Sequence, residues 1–149
     1  MPRTAFYLDA SAAVKLVREE PESATLRGHL EEAAHFLSSE LLETEVRRAI
    51  QRNAVDLSRS GVDRLLEEAA EVLSRFSLVT VTRRLLTVAG ALPNPYLRSL
   101  DAIHLATALS APGGLVFVSY DIRQLQAGDD LGLRVLSPDA RGVARPPPP

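Results

Sequence analysis

The chain has no cysteine. Disulfides and thiolate metal sites are therefore excluded, and a reducing, cytoplasmic setting is the expectation. Long apolar runs are missing too. Nothing approaches the roughly 20 residues that a membrane-spanning helix needs, and the N-terminus carries no signal-peptide core. There is no excess of positive charge: 17 Lys and Arg against 19 Asp and Glu leave a formal net charge of -2. Any contact with nucleic acid must then come from local patches. Lysine itself is nearly absent, with Lys15 standing alone, so the cations are arginines, which can grip phosphate bidentately or lie solvated on a surface. No internal repeat is found. What remains is a chain of 149 residues, 46% hydrophobic and 24% charged, ordinary for a soluble protein and long enough for one domain with its own core.

The pattern along the chain alternates between strands and helices. Residues 4–8 read as a strand and 11–18 as a short helix. Pro21 opens a second helix that runs to about Ala34, since proline is tolerated in a first helical turn. His35-Phe36-Leu37 is a short strand. Ser38-Ser39 offers an N-cap for a helix reaching about Asn53, and a polar break over 56–60 leads to another helix ending near Arg75. Leu78 to Val81 is rich in β-branched residues and reads as a strand. Helices follow over 83–92, stopped by Pro93 and Pro95, and over 97–109, ended by Pro112-Gly113-Gly114. Leu115 to Val118 is the clearest buried strand, Asp121 starts a helix, and 133–136 is the last strand. The expected domain spans 1–140. Residues 141–149, an Arg- and Pro-rich tail, are expected to be disordered or extended. This alternation predicts an α/β protein of three α/β/α layers, with a central parallel sheet of four to five strands.

Four acids stand out against that frame. Asp9 follows Phe6-Tyr7-Leu8 directly, at the carboxyl end of a strand, where open α/β sheets place ligands. Right-handed crossovers put the junction after residues 115–118, which carries Ser119, Tyr120 and Asp121, on the same edge. Both Asp9 and Asp121 also have structural readings as helix N-caps, and Asp121 with Gln124 has capping-box spacing. Glu45 falls within the apolar stripe formed by Leu41, Leu42, Val46, Ala49 and Ile50. A carboxylate facing a core is costly unless it is paired or bound to a metal; the structural alternative is a glutamate at the edge of the stripe that snorkels to solvent. Glu40 and Glu43 point elsewhere and read as helix-dipole or solvated residues. Asp101 opens LRSLDAIHLATAL, a helix apolar almost all round, with Ser99 available as its cap. His104, one turn on, reads as a hydrogen-bonded core residue rather than a ligand. Carboxylates converging on one place repel, and a divalent cation is the simplest compensation. All-oxygen donors suit Mg²⁺ or Mn²⁺ rather than Zn²⁺.

The segments YLDASAAVKL, SELLETEVRRAI, LRSLDAIHLATAL and VFVSYDIRQL, in this order, resemble the signature of PIN-domain proteins, and specifically of VapC-type toxin ribonucleases. The resemblance runs from about Thr4 to Leu136. It implies a PIN-like fold and a Mg²⁺- or Mn²⁺-dependent endoribonuclease. Its acids match Asp9, Glu45, Asp101 and Asp121 here, as catalytic and metal-holding residues, and its small hydroxyl residues match Ser11 and Ser119. No acid of the pattern is missing. It also implies a cognate antitoxin, with the helix pair over 39–75 as the groove, an RNA substrate and a homodimer. On this reading Asp9 and Asp101 are the main ligands. Glu45 and Asp121 ligate directly, hold water or position the nucleophile. Ser11 and Ser119 support the ligands or touch phosphate. A metal-activated water attacks the phosphodiester. Arg47, Arg48 and Arg52 are candidates for the RNA backbone, Arg48 foremost, with a solvated or salt-bridged helix face as the structural alternative.

Competing readings differ in what they require. A phosphotransferase with Asp9 as nucleophile wants an acid two residues on, where Ser11 stands, and a lysine at the site. A receiver-like binding module also wants a basic residue there, and leaves Glu45 unexplained. A non-catalytic metal- or partner-binding module of PIN-like fold keeps the fold without the chemistry, and the intact set of acids speaks against it.

Overall fold

The structure is a computed structural model and describes residues 4–139 apart from 32 and 34. The elements run β1 (Ala5–Leu8), α1 (Ala10–Val17), α2 (Ser23–Leu30), β2 (His35–Ser39), α3 (Leu41–Arg52), α4 (Arg59–Leu73), β3 (Phe76–Val79), α5 (Arg83–Gly90), α6 (Ser99–Ser110), β4 (Val116–Val118), α7 (Ile122–Asp130) and β5 (Arg134–Leu136). All strands pair in parallel, in the order β3-β2-β1-β4-β5. Phe6 in the middle of β1 lies between Phe36 of β2 and Val116 of β4.

Side-chain alternation sorts the core into two layers. Phe6, Leu8, Val116 and Val118 face Ala12 and Val17 of α1, Leu42, Val46 and Ile50 of α3, and Ala69 and Leu73 of α4. Tyr7 and Phe117 point to the other face, stacked with ring centroids 5.3 Å apart, against Leu105 and Ala108 of α6 and Ala127 of α7. A smaller apolar cluster of Leu85, Ala89, Ala102 and Ala106 joins α5 to α6. Helices therefore cover both faces of a parallel sheet, as the alternating pattern predicts. The chain turns one way from β1 and the other way from β4. The switch in winding falls between these two central strands, where such sheets open a crevice at the carboxyl edge.

Several boundaries differ from the sequence reading. β2 continues through Ser38 and Ser39, so neither is the N-cap of α3. That position is Glu40, without a side-chain cap. Ser38 Oγ donates to the Leu8 carbonyl at 2.7 Å, and Ser39 Oγ accepts from Leu41 N–H at 3.2 Å. β3 occupies 76–79 rather than 78–81, because its partner β2 ends at Ser39, opposite Val79. Val81 N–H turns instead to Glu40 Oε1 at 2.8 Å, so Glu40 ties a loop rather than merely facing solvent. The second helix begins at Ser23, after Pro21, and ends at Leu30 rather than running to about Ala34, since Glu31 already lies in a turn; the tail over 141–149 lies outside the described residues. The N-cap of α6 is Arg98, not Ser99. α7 closes with Gly132 at φ 85°. There Gly132 N–H reaches the Asp129 carbonyl and Leu133 N–H the Gly128 carbonyl, a Schellman closure that requires a left-handed residue.

Candidate active site

Asp9 is 5% exposed at the end of β1. Its Oδ1 accepts from Ala12 N–H at 3.1 Å and from Ser11 Oγ at 2.6 Å, and its Oδ2 accepts from Ser119 Oγ at 2.5 Å. The residue is thus both the N-cap of α1 and the centre of a hydroxyl cradle. Burial pushes its carboxyl above the usual carboxylate range, and the Ser11 and Ser119 donors only partly offset that. The two serines also lock the neighbouring turn: Tyr120 N–H donates to Ser11 Oγ at 2.9 Å, and Asp121 N–H to Ser119 Oγ at 3.0 Å.

Asp121 caps α7 with Oδ1, which accepts from Arg123 N–H at 2.9 Å and Gln124 N–H at 3.5 Å. The reciprocal half of a capping box is not made. Gln124 instead sends its Nε2 to the Asp101 carbonyl at 3.3 Å, joining the first turns of α7 and α6. The other Asp121 oxygen, Oδ2, faces Arg98, whose terminal nitrogen is 3.7 Å away. The same guanidinium places Nε 3.3 Å from Asp101 Oδ2. One arginine therefore sits between two acids that the sequence reading had assigned to a cation. Asp101 is less enclosed than its apolar surroundings suggest. Its side chain is 27% exposed, because the buried face of α6 begins at Ala102 and His104.

Glu45 projects from the first turns of α3, its side chain 20% exposed, and its Oε1 meets His104 Nε2 at 2.6 Å. His104 is buried, as expected, and its Nδ1 is 2.8 Å from the Tyr7 hydroxyl. α3 and α6 belong to opposite helix layers, so this pair bridges the sheet at its carboxyl edge. The four acids are thereby linked through a short series of contacts: Asp9 to Ser119, Ser119 to the Asp121 backbone, Asp121 through Arg98 to Asp101, and one turn along α6 to His104 and Glu45.

The donors are carboxylate and hydroxyl oxygens, the chemistry that hard divalent cations select. Among the described residues the side chains as placed form no group of three acidic or histidine ligands; Asp101 and Asp121 share a guanidinium instead. In chemistry, though not in grouping, the donor set is of the kind a divalent ion takes, with Asp9, Asp101, Asp121 and Glu45 as the candidates to hold it. Of the arginines on α3, Arg47 pairs with Glu43 at 2.8 Å, the salt-bridged alternative, whereas Arg48 and Arg52 are exposed. Sequence reasoning missed Arg98 and the partner of His104. The i,i+3 spacing of Arg98 and Asp101 was a usable signal, but nothing local connects His104 to a glutamate 59 positions away.

The fold and this edge together define a class: a doubly wound parallel α/β/α protein with an acidic site where the winding reverses. The PIN domain family profile matches residues 6–129. Two proteins of Mycobacterium tuberculosis, ribonucleases VapC46 and VapC35, are 39% and 41% identical over 136 and 138 residues, covering 90% and 89% of this chain and 98% and 96% of theirs. A crystal structure of VapBC2 from Rickettsia felis, bound to a DNA fragment from its promoter, superposes with a TM-score of 0.66 over 91% of this chain and all of that one. At 12% identity it speaks for the fold alone. The chain belongs to the PIN domain family.

Proposed function

We propose that this protein is a divalent-metal-dependent endoribonuclease and acts as the toxin of a toxin–antitoxin pair, with a cognate antitoxin as partner and RNA as substrate. The observation that carries the chemistry is the linked set of Asp9, Asp101, Asp121 and Glu45 at the switch point of the sheet, two of them already sharing one cation. Likeness to ribonucleases VapC46 and VapC35 along nearly their whole length supports the substrate and the toxin role.

Asp9, Asp101, Asp121 and Glu45 hold Mg²⁺ or Mn²⁺. When bound, such an ion lowers the pKa of a water and neutralises charge on the scissile phosphate. Ser11 and Ser119 keep the Asp9 carboxylate oriented through donors at 2.6 and 2.5 Å. Arg98, its side chain 75% exposed at the rim, is free to leave the acids and meet phosphate. Arg48, one turn past Glu45 on α3, grips the RNA backbone. The domain spans 1–140, the protein works in the cytoplasm, and a homodimer is its assembly. No described helix is long and apolar enough to cross a membrane.

The test is cleavage of a mixed RNA pool by purified, antitoxin-free protein in Mg²⁺, Mn²⁺ or EDTA, beside Asp101→Asn. Cutting that needs the metal and is lost in the variant is the expected result. A folded protein that neither cuts RNA nor binds Mn²⁺ overturns the reading in favour of a non-catalytic partner-binding module.

A further inference from the structure

We propose that His104 is a positioning residue that, anchored by Tyr7, fixes the Glu45 carboxylate at the acidic edge. This rests on the reading of Glu45 as one of the metal-holding acids.

Three elements meet in the contact. Tyr7 comes from β1, His104 from α6 and Glu45 from α3, with bonds of 2.8 and 2.6 Å between residues 97 and 59 positions apart. Burial falls in one direction along it. Tyr7 and His104 are essentially inaccessible, and only Glu45 opens towards solvent. The proton positions follow from the partners. An ionised carboxylate can only accept, so Nε2 carries the hydrogen that Glu45 receives. Burial holds the Tyr7 phenol protonated, well above its ordinary range, and its hydroxyl meets Nδ1. Both ring nitrogens are then engaged. Turning the ring over would set carbon against both partners.

The acids differ in what fixes them. Asp9 is held by two hydroxyls and a backbone N–H, Asp121 by the N-terminus of α7, and Asp101 by Arg98. Each is a short side chain at a helix start. Glu45 has a longer, freer side chain and sits within a helix. Among the described residues His104 is the one group that hydrogen-bonds its carboxylate, and it engages Oε1 alone. Oε2 makes no hydrogen bond among the described residues. A core needing only stability would place apolar side chains at these positions, because burying a polar pair seldom stabilises relative to well-packed apolar groups. Hydrogen bonds that orient a metal-holding side chain are the recurrent reason for such an arrangement.

The experiment is Mn²⁺ binding to the full chain by calorimetry after chelator treatment, for wild type, His104→Leu, His104→Gln, Glu45→Gln and the double variant His104→Leu/Glu45→Gln. His104→Leu is expected to weaken Mn²⁺ about 10–100-fold. His104→Gln, whose amide restores a donor to Glu45, recovers most of that loss. In the Glu45→Gln background His104→Leu adds nothing further. Equal weakening by His104→Leu in both backgrounds would mean a purely structural role and overturn the proposal, as would unchanged affinity in His104→Leu while Glu45→Gln binds poorly. If Glu45→Gln itself binds Mn²⁺ like wild type, the metal role of Glu45 fails and the proposal falls with it. Should His104→Leu not fold, Tyr7→Phe decides. It removes the bond to Nδ1 together with the hydroxyl's contacts to Ser38 and Thr107; a several-fold weakening confined to the Glu45-containing background is expected, whereas no weakening, or equal weakening in the Glu45→Gln background, overturns the proposal.

Discussion

Ser119 Oγ donates to Asp9 Oδ2 over 2.5 Å, a contact between residues 110 positions apart that joins the ends of the two central strands. It satisfies a carboxylate that is almost wholly buried and still titrates above its ordinary value of 3.8 because burial dominates. An acid raised in the folded state contributes stability below its unfolded pKa and loses that contribution as pH rises through the folded value. At neutral pH, then, Asp9 costs stability. Asp9→Asn is expected to raise the metal-free melting temperature at pH 7, with the gain vanishing as pH falls to about 4. Adding Mn²⁺ should reverse the order, since only the wild type is stabilised by a bound ion. Thermal melts over pH with and without Mn²⁺ check this; a variant less stable than wild type at pH 7 without metal would contradict it.

Removing the donor tests the other side of the same bond. Ser119→Ala leaves a buried carboxylate with one donor fewer and deprives Asp121 N–H of its acceptor at 3.0 Å. Hydrogen bonds to charged groups contribute about 1.5–3 kcal/mol, so a loss of roughly 5–10 °C at neutral pH is expected for a domain of this size. The Asp9 pKa rises further in this variant. The deficit is therefore larger at high pH and shrinks on acidification. Thermal melts at pH 7 and pH 4 measure both values, and a deficit independent of pH would assign it to packing alone.

Arg98 competes for the acids that a divalent ion would use. Its contacts to Asp101 and Asp121 are long, at 3.3 and 3.7 Å, and its side chain is 75% exposed. Exposed pairs of this kind contribute about 0.2–1 kcal/mol. Arg98→Gln should therefore tighten Mn²⁺ binding only modestly, by up to about 5-fold, and high salt should erase the difference from wild type. Mn²⁺ titrations at low and high ionic strength check both points.

How much of this was legible in the sequence depends on whether the cause was local. Phe6-Tyr7-Leu8 and Val116-Phe117-Val118 could be read as strands because both sheet faces are buried, so every residue is apolar. Topology alone then put Asp9 and Asp121 on one edge. Thr80 and Val81 misled because their β-branched side chains suit a strand, yet β2 has no residue left to pair with them. Glu45 was recognisable as an acid out of place in an apolar stripe, and His104 as a buried histidine. Their joining was not, because it depends on α3 and α6 lying on opposite faces of the finished sheet. Arg98 stayed hidden for a different reason: exposed arginines near helix starts are common, and only the three-dimensional approach of α7 to α6 gives this one two acids.

Arg48 separates substrate binding from metal chemistry. It is exposed on α3, three residues past Glu45, and makes no ion pair among the described residues, whereas Arg47 is already engaged by Glu43. A backbone phosphate contact adds to affinity in a salt-dependent way without reading sequence. Arg48→Ala should raise KM for RNA severalfold and leave Mn²⁺ affinity unchanged. The slope of log affinity against log salt should fall in magnitude by about 1. Arg47→Ala should change that slope far less, because its charge is partly neutralised within the helix. Filter binding of single-stranded RNA to the inactive Asp101→Asn protein, repeated across salt concentrations, measures the slopes directly. Identical slopes for the two arginine variants would remove Arg48 from the RNA path and return the α3 face to solvent.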